Sequence, residues 1–216
     1  YLEEKGIVSK DDFLLAVATS DSRKLIPDTN YDFLADKPAN QGLEGYLFPD
    51  TYRIYENSTS SKIIERMLDN FVVKFTDQMK EDAKNGNMSI YEIVTLASII
   101  EKEVRTEEDR KIVAGIFYDR LNNNVGLQSD ATVNYVTGKQ ALQPSADDIE
   151  VDSPYNTYKY RGLPPGPISN PSLSAIKAAI YPEKSDYFYF LTKQDGTTVF
   201  SKTYEEHLEN KRKFLQ

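Results

Sequence analysis

The chain has 216 residues, 39% of them hydrophobic and 28% charged, with a formal net charge of −8. That is enough chain to bury a core without staples, and it is too apolar for wholesale disorder. With no cysteine and one histidine, His207, disulfides, thiol catalysis and a multi-histidine metal site are excluded, and the acidic balance argues against general binding of nucleic acid.

The first element is a short helix over 9–19, capped by Ser9, with Phe13, Leu14 and Val17 as its apolar stripe. Residues 20–42 hold Pro27, Pro38 and Gly42 and read as loop or short strands at a subdomain boundary. Residues 43–55 are aromatic and β-prone, interrupted by Pro49. A long amphipathic helix is predicted over 60–84, from the spacing of Ile63, Ile64, Met67, Leu68, Phe71, Phe75 and Met79, with Gly86 past its end. Ser89 and Glu92 form a capping box that opens a helix to about Val104. Further helices are predicted over 107–121 and 130–137.

Proline and glycine make 152–171 a long irregular loop. Pro171 is expected to open a helix to about Ala179 with Asn170 as cap. Residues 187–192 and 197–201 read as a β-hairpin turning near Asp195-Gly196, and Thr203 with Glu206 caps a last helix. The sum is an α+β fold, helix-rich with a small hairpin. No apolar run approaches the roughly 20 residues that span a bilayer. The chain opens at Tyr1 without Met and is read as a piece of a longer protein, so a missing anchor is uninformative.

The chemistry points to the 89–104 helix. Its apolar residues, from Ile90 to Val104, cover more than half the circumference, so it is expected to be buried on most sides. Glu101 projects between the directions of Ile90 and Val94, and Glu103 between those of Ile99 and Leu96. A carboxyl group in apolar surroundings has its charged form disfavoured, which suits a general acid. The wheel therefore nominates two carboxylates. His207, in the middle of the tail helix, reads as structural.

Four segments carry a resemblance: LEGYLFPDTY (43–52), LASIIEKE (96–103), FYDRL…GLQSDATVNY (117–135) and SPYNTYKYRGLPPGPISNP (153–171). With AIKAAIYP and the YFYFLT…FSKTYEEH tail, they make the chain similar to the MltG/YceG family of endolytic murein transglycosylases over about 43–214. The resemblance implies a YceG-like catalytic domain over 43–216. Residues 1–42 would then be the remnant of a small N-terminal LysM-like region and its connection.

It also implies that Glu101, the first Glu of the EKE run, is the catalytic acid and base. The reaction would cut the β-1,4 bond between N-acetylmuramic acid and N-acetylglucosamine, leaving a 1,6-anhydromuramoyl end, with no cofactor and no metal. Gln128 and Asp130 are candidates for holding sugar hydroxyls or N-acetyl groups, and Tyr155, Asn156, Thr157 and Tyr158 for lining the glycan cleft; an aromatic ring with a polar tip suits a sugar. Asp130 also reads as a helix cap, and Glu44 has at most a secondary role.

The implied partners are peptidoglycan glycan strands and the peptidoglycan synthases of elongation or division. The implied location is the outer side of the cell membrane, on a single-pass anchor upstream. Two other readings stay open: a hydrolytic muramidase with Asp130 as second carboxylate, and a noncatalytic peptidoglycan-binding scaffold.

Overall fold

The computed structural model describes residues 1–19, 31–141 and 143–215. Among them run helices α1 (Lys10–Ala18), α2 (Ser60–Lys74), α3 (Asp77–Asn85), α4 (Ile90–Glu103), α5 (Glu107–Asn122), α6 (Asp130–Thr137), α7 (Ala146–Ile149) and α8 (Leu173–Ile180). A hairpin of β1 (Tyr189–Thr192) and β2 (Thr198–Ser201) follows, and then α9 (Tyr204–Phe214). The fold is α+β and helix-rich, with one antiparallel two-stranded sheet pairing Tyr189 with Ser201 and Leu191 with Val199. About half of the stretch read as loop or short strands over 20–42, residues 20–30, lies outside the described residues.

The organising element is α4. Its capping box forms as expected, with Ser89 accepting from the Glu92 amide and Glu92 from the Ser89 amide. Tyr91 and the eight consecutive residues from Ile93 to Ile100 are buried. It packs most extensively on α8 and also touches α3, α5 and α6. A helix covered on every side needs apolar residues around its whole circumference, which is what its sequence supplies.

Three expectations are corrected. The 60–84 helix is two: Phe75 leaves helical geometry, and Thr76 caps a new helix by accepting from the Met79 amide at 3.3 Å. Phe71, Phe75 and Met79 nonetheless stay in the core, so the period carried across a break that the cap dictated. Residues 43–55 form turns and irregular chain, not strand. Gly45 has φ +92°, and a Cβ there would lie 2.5 Å from Pro167 and 2.8 Å from Val94. The segment is a plug: Leu43, Tyr46, Leu47 and Phe48 are buried, and Tyr46 meets Phe33 and Phe71. Phe33 and Leu34 lie in the same core, so residues on both sides of position 42 share it.

Finally, α8 is capped by Ser172, not Asn170. The Asn170 side chain is occupied elsewhere, its Oδ1 accepting from the amides of Gly45 (2.8 Å) and Leu47 (3.1 Å) and so pinning the plug.

Candidate active site

Beside the C-terminal end of α4 runs an open groove of about 1330 Å³. It is lined by α6 with the Gln128 turn, and by the hairpin with α9. Thr192 Oγ1 donates to the Glu103 carbonyl at 3.0 Å, and Arg120 Nη2 to the Phe188 carbonyl at 2.9 Å. The hairpin is thus tied to the end of α4 and to α5.

Both nominated carboxylates line this groove, in opposite surroundings. Glu101 is fully engaged. Its Oε1 accepts from Arg110 Nη2 at 3.0 Å, and its Oε2 from the Ser172 amide (3.1 Å) and hydroxyl (2.6 Å). Arg110 Nη1 also reaches Ser172 Oγ at 3.2 Å. Glu101 therefore joins α4, α5 and the start of α8. Its side chain is 23% exposed and that of Arg110 12%.

Glu103 is densely enclosed, with a small face open to the groove. Ser129 Oγ donates a short hydrogen bond to its Oε1, and the Ala131 amide approaches the same oxygen at 3.4 Å. No hydrogen bond from a described residue reaches its Oε2. Burial pushes the carboxyl up to about 7; the Ser129 bond and the Arg120 charge pull the other way, and the Asp130 charge adds to the rise. The environment that the wheel requires of a general acid is thus found at Glu103, the second of its two nominees.

Asp130 begins α6 beside it, half-buried and lining the groove. Burial raises its carboxyl; a hydrogen bond from Tyr158 and the Lys211 charge oppose the rise. It makes no cap bond of its own: the cap position is Ser129, whose hydroxyl is turned to Glu103. Gln128 is exposed on the groove wall in left-handed backbone, φ +49°. Non-glycine residues rarely adopt this conformation, and it recurs at ligand sites. The Gln128 amide donates to the Thr157 carbonyl at 3.1 Å, which fixes the turn.

The 155–158 run splits by depth. Tyr158 lines the groove. Asn156 and Thr157 are fully buried and do not line it. Asn156 Nδ2 donates to the carbonyls of Ile149 (2.7 Å) and Val151 (2.8 Å). Thr157 Oγ1 accepts from the Ser129 amide at 3.0 Å and lies 2.9 Å from Thr132 Oγ1. These two hold the loop against the start of α6, and so hold Ser129 and Asp130 in place. Tyr155 lies behind Tyr135, ring centroids 5.1 Å apart. It is Tyr135 that lines the groove, its hydroxyl donating to Glu44 Oε2 at 2.7 Å.

Sequence reasoning missed Arg120, Ser129 and Tyr135. Arg120 is buried, with Nη1 on the Leu127 carbonyl and its guanidinium over the Tyr189 ring at 5.9 Å. An arginine inside an apolar helix face was its available signal, because such a charge needs partners. His207 stacks on Tyr189 at 5.4 Å and lines the groove; burial pushes its imidazole down.

Known proteins resemble this chain along most of its length. A protein of Bacillus subtilis (strain 168) named endolytic murein transglycosylase is 40% identical over 193 residues, 89% of this chain and 54% of that protein. A protein of the same name from Streptococcus pneumoniae serotype 2 is 41% identical over 181 residues, 81% of this chain and 33% of that one. The chain thus spans about half, or a third, of the curated relatives it matches. The crystal structure of a YceG-like protein from Listeria monocytogenes superposes with a TM-score of 0.83 at 39% identity, over 96% of this chain and 69% of that one. The model of the YceG-like family matches residues 2–213, and the chain belongs to that family.

Proposed function

We propose that this chain is the catalytic part of an endolytic murein transglycosylase, and that Glu103, not Glu101, is its acid and base. The relatives' names support the reaction class. The observation that carries the assignment is the enclosed Glu103 carboxyl, raised to about 7, at the floor of a groove with Oε2 unclaimed by any described residue. A group with that pKa is substantially protonated near neutral pH, as an acid must be, and is readily regenerated as a base.

The mechanism follows from one carboxyl group. Neutral Glu103 gives its proton to the bridging oxygen as the bond from muramoyl C1 to that oxygen breaks. The resulting carboxylate takes the proton of the muramoyl C6 hydroxyl as O6 bonds to C1. Glu103 ends protonated again, and the product carries a 1,6-anhydro ring. Arg120 favours the transient carboxylate by its charge, and Ser129 holds Oε1 so that Oε2 meets the sugar. Tyr135 and Tyr158 offer aromatic faces along the walls. Glu101 is the brace between α4, α5 and α8.

One observation favours a second reading. Asp130 stands beside Glu103, and a pair of carboxyl groups is the arrangement of a hydrolytic muramidase. The Asp130 carboxyl is itself engaged, however, its Oδ1 accepting from the Tyr158 hydroxyl, and the transglycosylase reaction needs no second carboxyl group. The decisive experiment is mass spectrometry of murein digested by wild type, Glu103→Gln and Glu101→Gln. Anhydro ends from wild type and from Glu101→Gln, but not from Glu103→Gln, support the assignment. Reducing ends select the muramidase, and full activity of Glu103→Gln removes this role for Glu103. A noncatalytic scaffold would release no fragments at all.

Placement outside the cell membrane on an upstream anchor, and work alongside peptidoglycan synthases, belong to the same proposal. No helix among the described residues is long and apolar enough to cross a membrane.

A further inference from the structure

The groove has the opposite charge character to the chain. Overall, 34 acidic residues outnumber 26 basic ones. Along the groove, Lys102, Arg105, Arg120, Lys139, Lys193 and Lys211 outnumber Glu101, Glu103 and Asp130. Two of the cations are committed: Arg120 to the carbonyls of Leu127 and Phe188, and Lys139 to Asp148 at 2.6 Å. Lys102, Arg105, Lys193 and Lys211 form no ion pair with another described residue. They come from three separate elements around the acid: the end of α4, the hairpin and α9.

The rim is built, not a chance scatter of exposed lysines. The Arg105 side chain lies across the hairpin turn, where a Cβ on Gly196 (φ +87°) would meet its Nη1 at 2.7 Å. Lys193 sits over the Phe214 ring at 4.4 Å. Thr192 fastens this wall to the Glu103 carbonyl. A neutral sugar chain offers no counter-charge to these four cations; only Lys211 acts on an acidic group of the groove, Asp130, and an anion brought between them would be attracted.

We propose that this rim is a subsite for the carboxylates of stem peptides on the glycan, so that peptide-bearing strands are selected over bare ones. The inference rests on the transglycosylase reading of the groove. Peptides branch from the lactyl group of the same muramoyl sugar whose C1 bond is cut, so their acidic groups would reach the walls flanking Glu103. Contacts of this kind are exposed and screened by salt.

The test uses the Glu103→Gln protein, to avoid turnover, and two probes: soluble glycan strands carrying their peptides, and the same strands stripped of peptide by an amidase. Affinities for both are measured by calorimetry at low and high salt. The peptide-bearing strands are expected to bind more tightly, with a preference that shrinks as salt rises. In Lys102→Glu/Lys211→Glu the ratio of the two affinities falls about tenfold, each exposed charge contact counting for up to about 1 kcal/mol. The milder Lys102→Gln/Lys211→Gln pair moves the ratio in the same direction, and Lys62→Glu on the remote face of α2 leaves it unchanged. Thermal midpoints verify folding of each variant. Equal affinity for the two probes, or a preference that survives charge reversal, overturns the subsite. Absence of binding to either probe overturns the transglycosylase reading itself, and the subsite with it.

Discussion

The Ser129 hydroxyl donates to Glu103 Oε1 across the join between α6 and the last turn of α4, 26 positions apart in sequence. That bond opposes the burial that drives the carboxyl toward neutrality. Replacing Ser129 with Ala removes the opposition. The high-pH limb of kcat/KM, which reports the free enzyme's acid, is expected to move to higher pH in Ser129→Ala. A pH–rate profile of anhydro-end release measures it, and an unmoved limb argues against the contact.

Glu103→Gln is expected to lower the rate of anhydro-end formation roughly 100- to 10,000-fold, the range for removal of a positioned acid–base group. The neutral amide keeps the acceptor for Ser129, so the thermal midpoint is expected to hold or rise. Loss of activity with a collapsed midpoint would point to damage to the fold instead.

Glu101→Gln has the reverse signature. It breaks the pair with Arg110 while still offering an acceptor to Ser172. A loss of about 1–2 kcal/mol is expected for these half-covered contacts, lowering Tm by roughly 3–6 °C in a domain of this size. Measurable anhydro product is expected at temperatures where the variant stays folded.

Stability against pH carries a further signature of Glu103. Its folded-state pKa is about 7, above the ordinary 4.5. Between those values the native state holds a proton that the unfolded chain has lost, so its contribution to stability is full below about 4.5, declines as pH rises, and is gone above about 7. Asp148 acts oppositely and elsewhere: the Lys139 ammonium and Ser145 hold it down at about 2, so its contribution is lost only in strong acid. Chemical denaturation of wild type and Glu103→Gln between pH 5 and pH 8 is expected to show a falling trend in wild type that flattens in the variant.

Gly115→Ala checks the packing behind the site. A Cβ at Gly115 of α5 would come 2.0 Å from the Glu183 carbonyl oxygen, and backbone there cannot swing aside as a side chain can. The strand-leading segment is held at that point by the Glu183 amide on the Lys111 carbonyl at 3.0 Å. A loss of about 1–3 kcal/mol is expected, read from urea unfolding.

Much of this architecture is legible in sequence, because caps and apolar periods are local. Ser89 with Glu92 and Thr203 with Glu206 mark their helices correctly, and the hairpin follows from Asp195-Gly196. What fails depends on partners distant in the chain. The aromatic run at 43–52 has strand composition but becomes a plug, because Asn170 claims its amides. That same commitment passes the α8 cap to Ser172.

The site follows the same rule. A helical wheel nominates Glu101 and Glu103 together, but it cannot see Arg110 and Ser172 arriving at one and Ser129 at the other. Nor does the polarity of Asn156 and Thr157 reveal that their side chains are used up inside the protein.

The burial of α4 on all sides has a mechanical consequence. A rod clamped along its length does not swing, so the tip that carries Glu103 keeps its place while the surroundings adapt. Adjustment to thicker or thinner strands is expected to fall to the hairpin, which is fastened to the rod through Thr192 and the Glu103 carbonyl. The proposed proton donor is the anvil, and the sugar is brought to it.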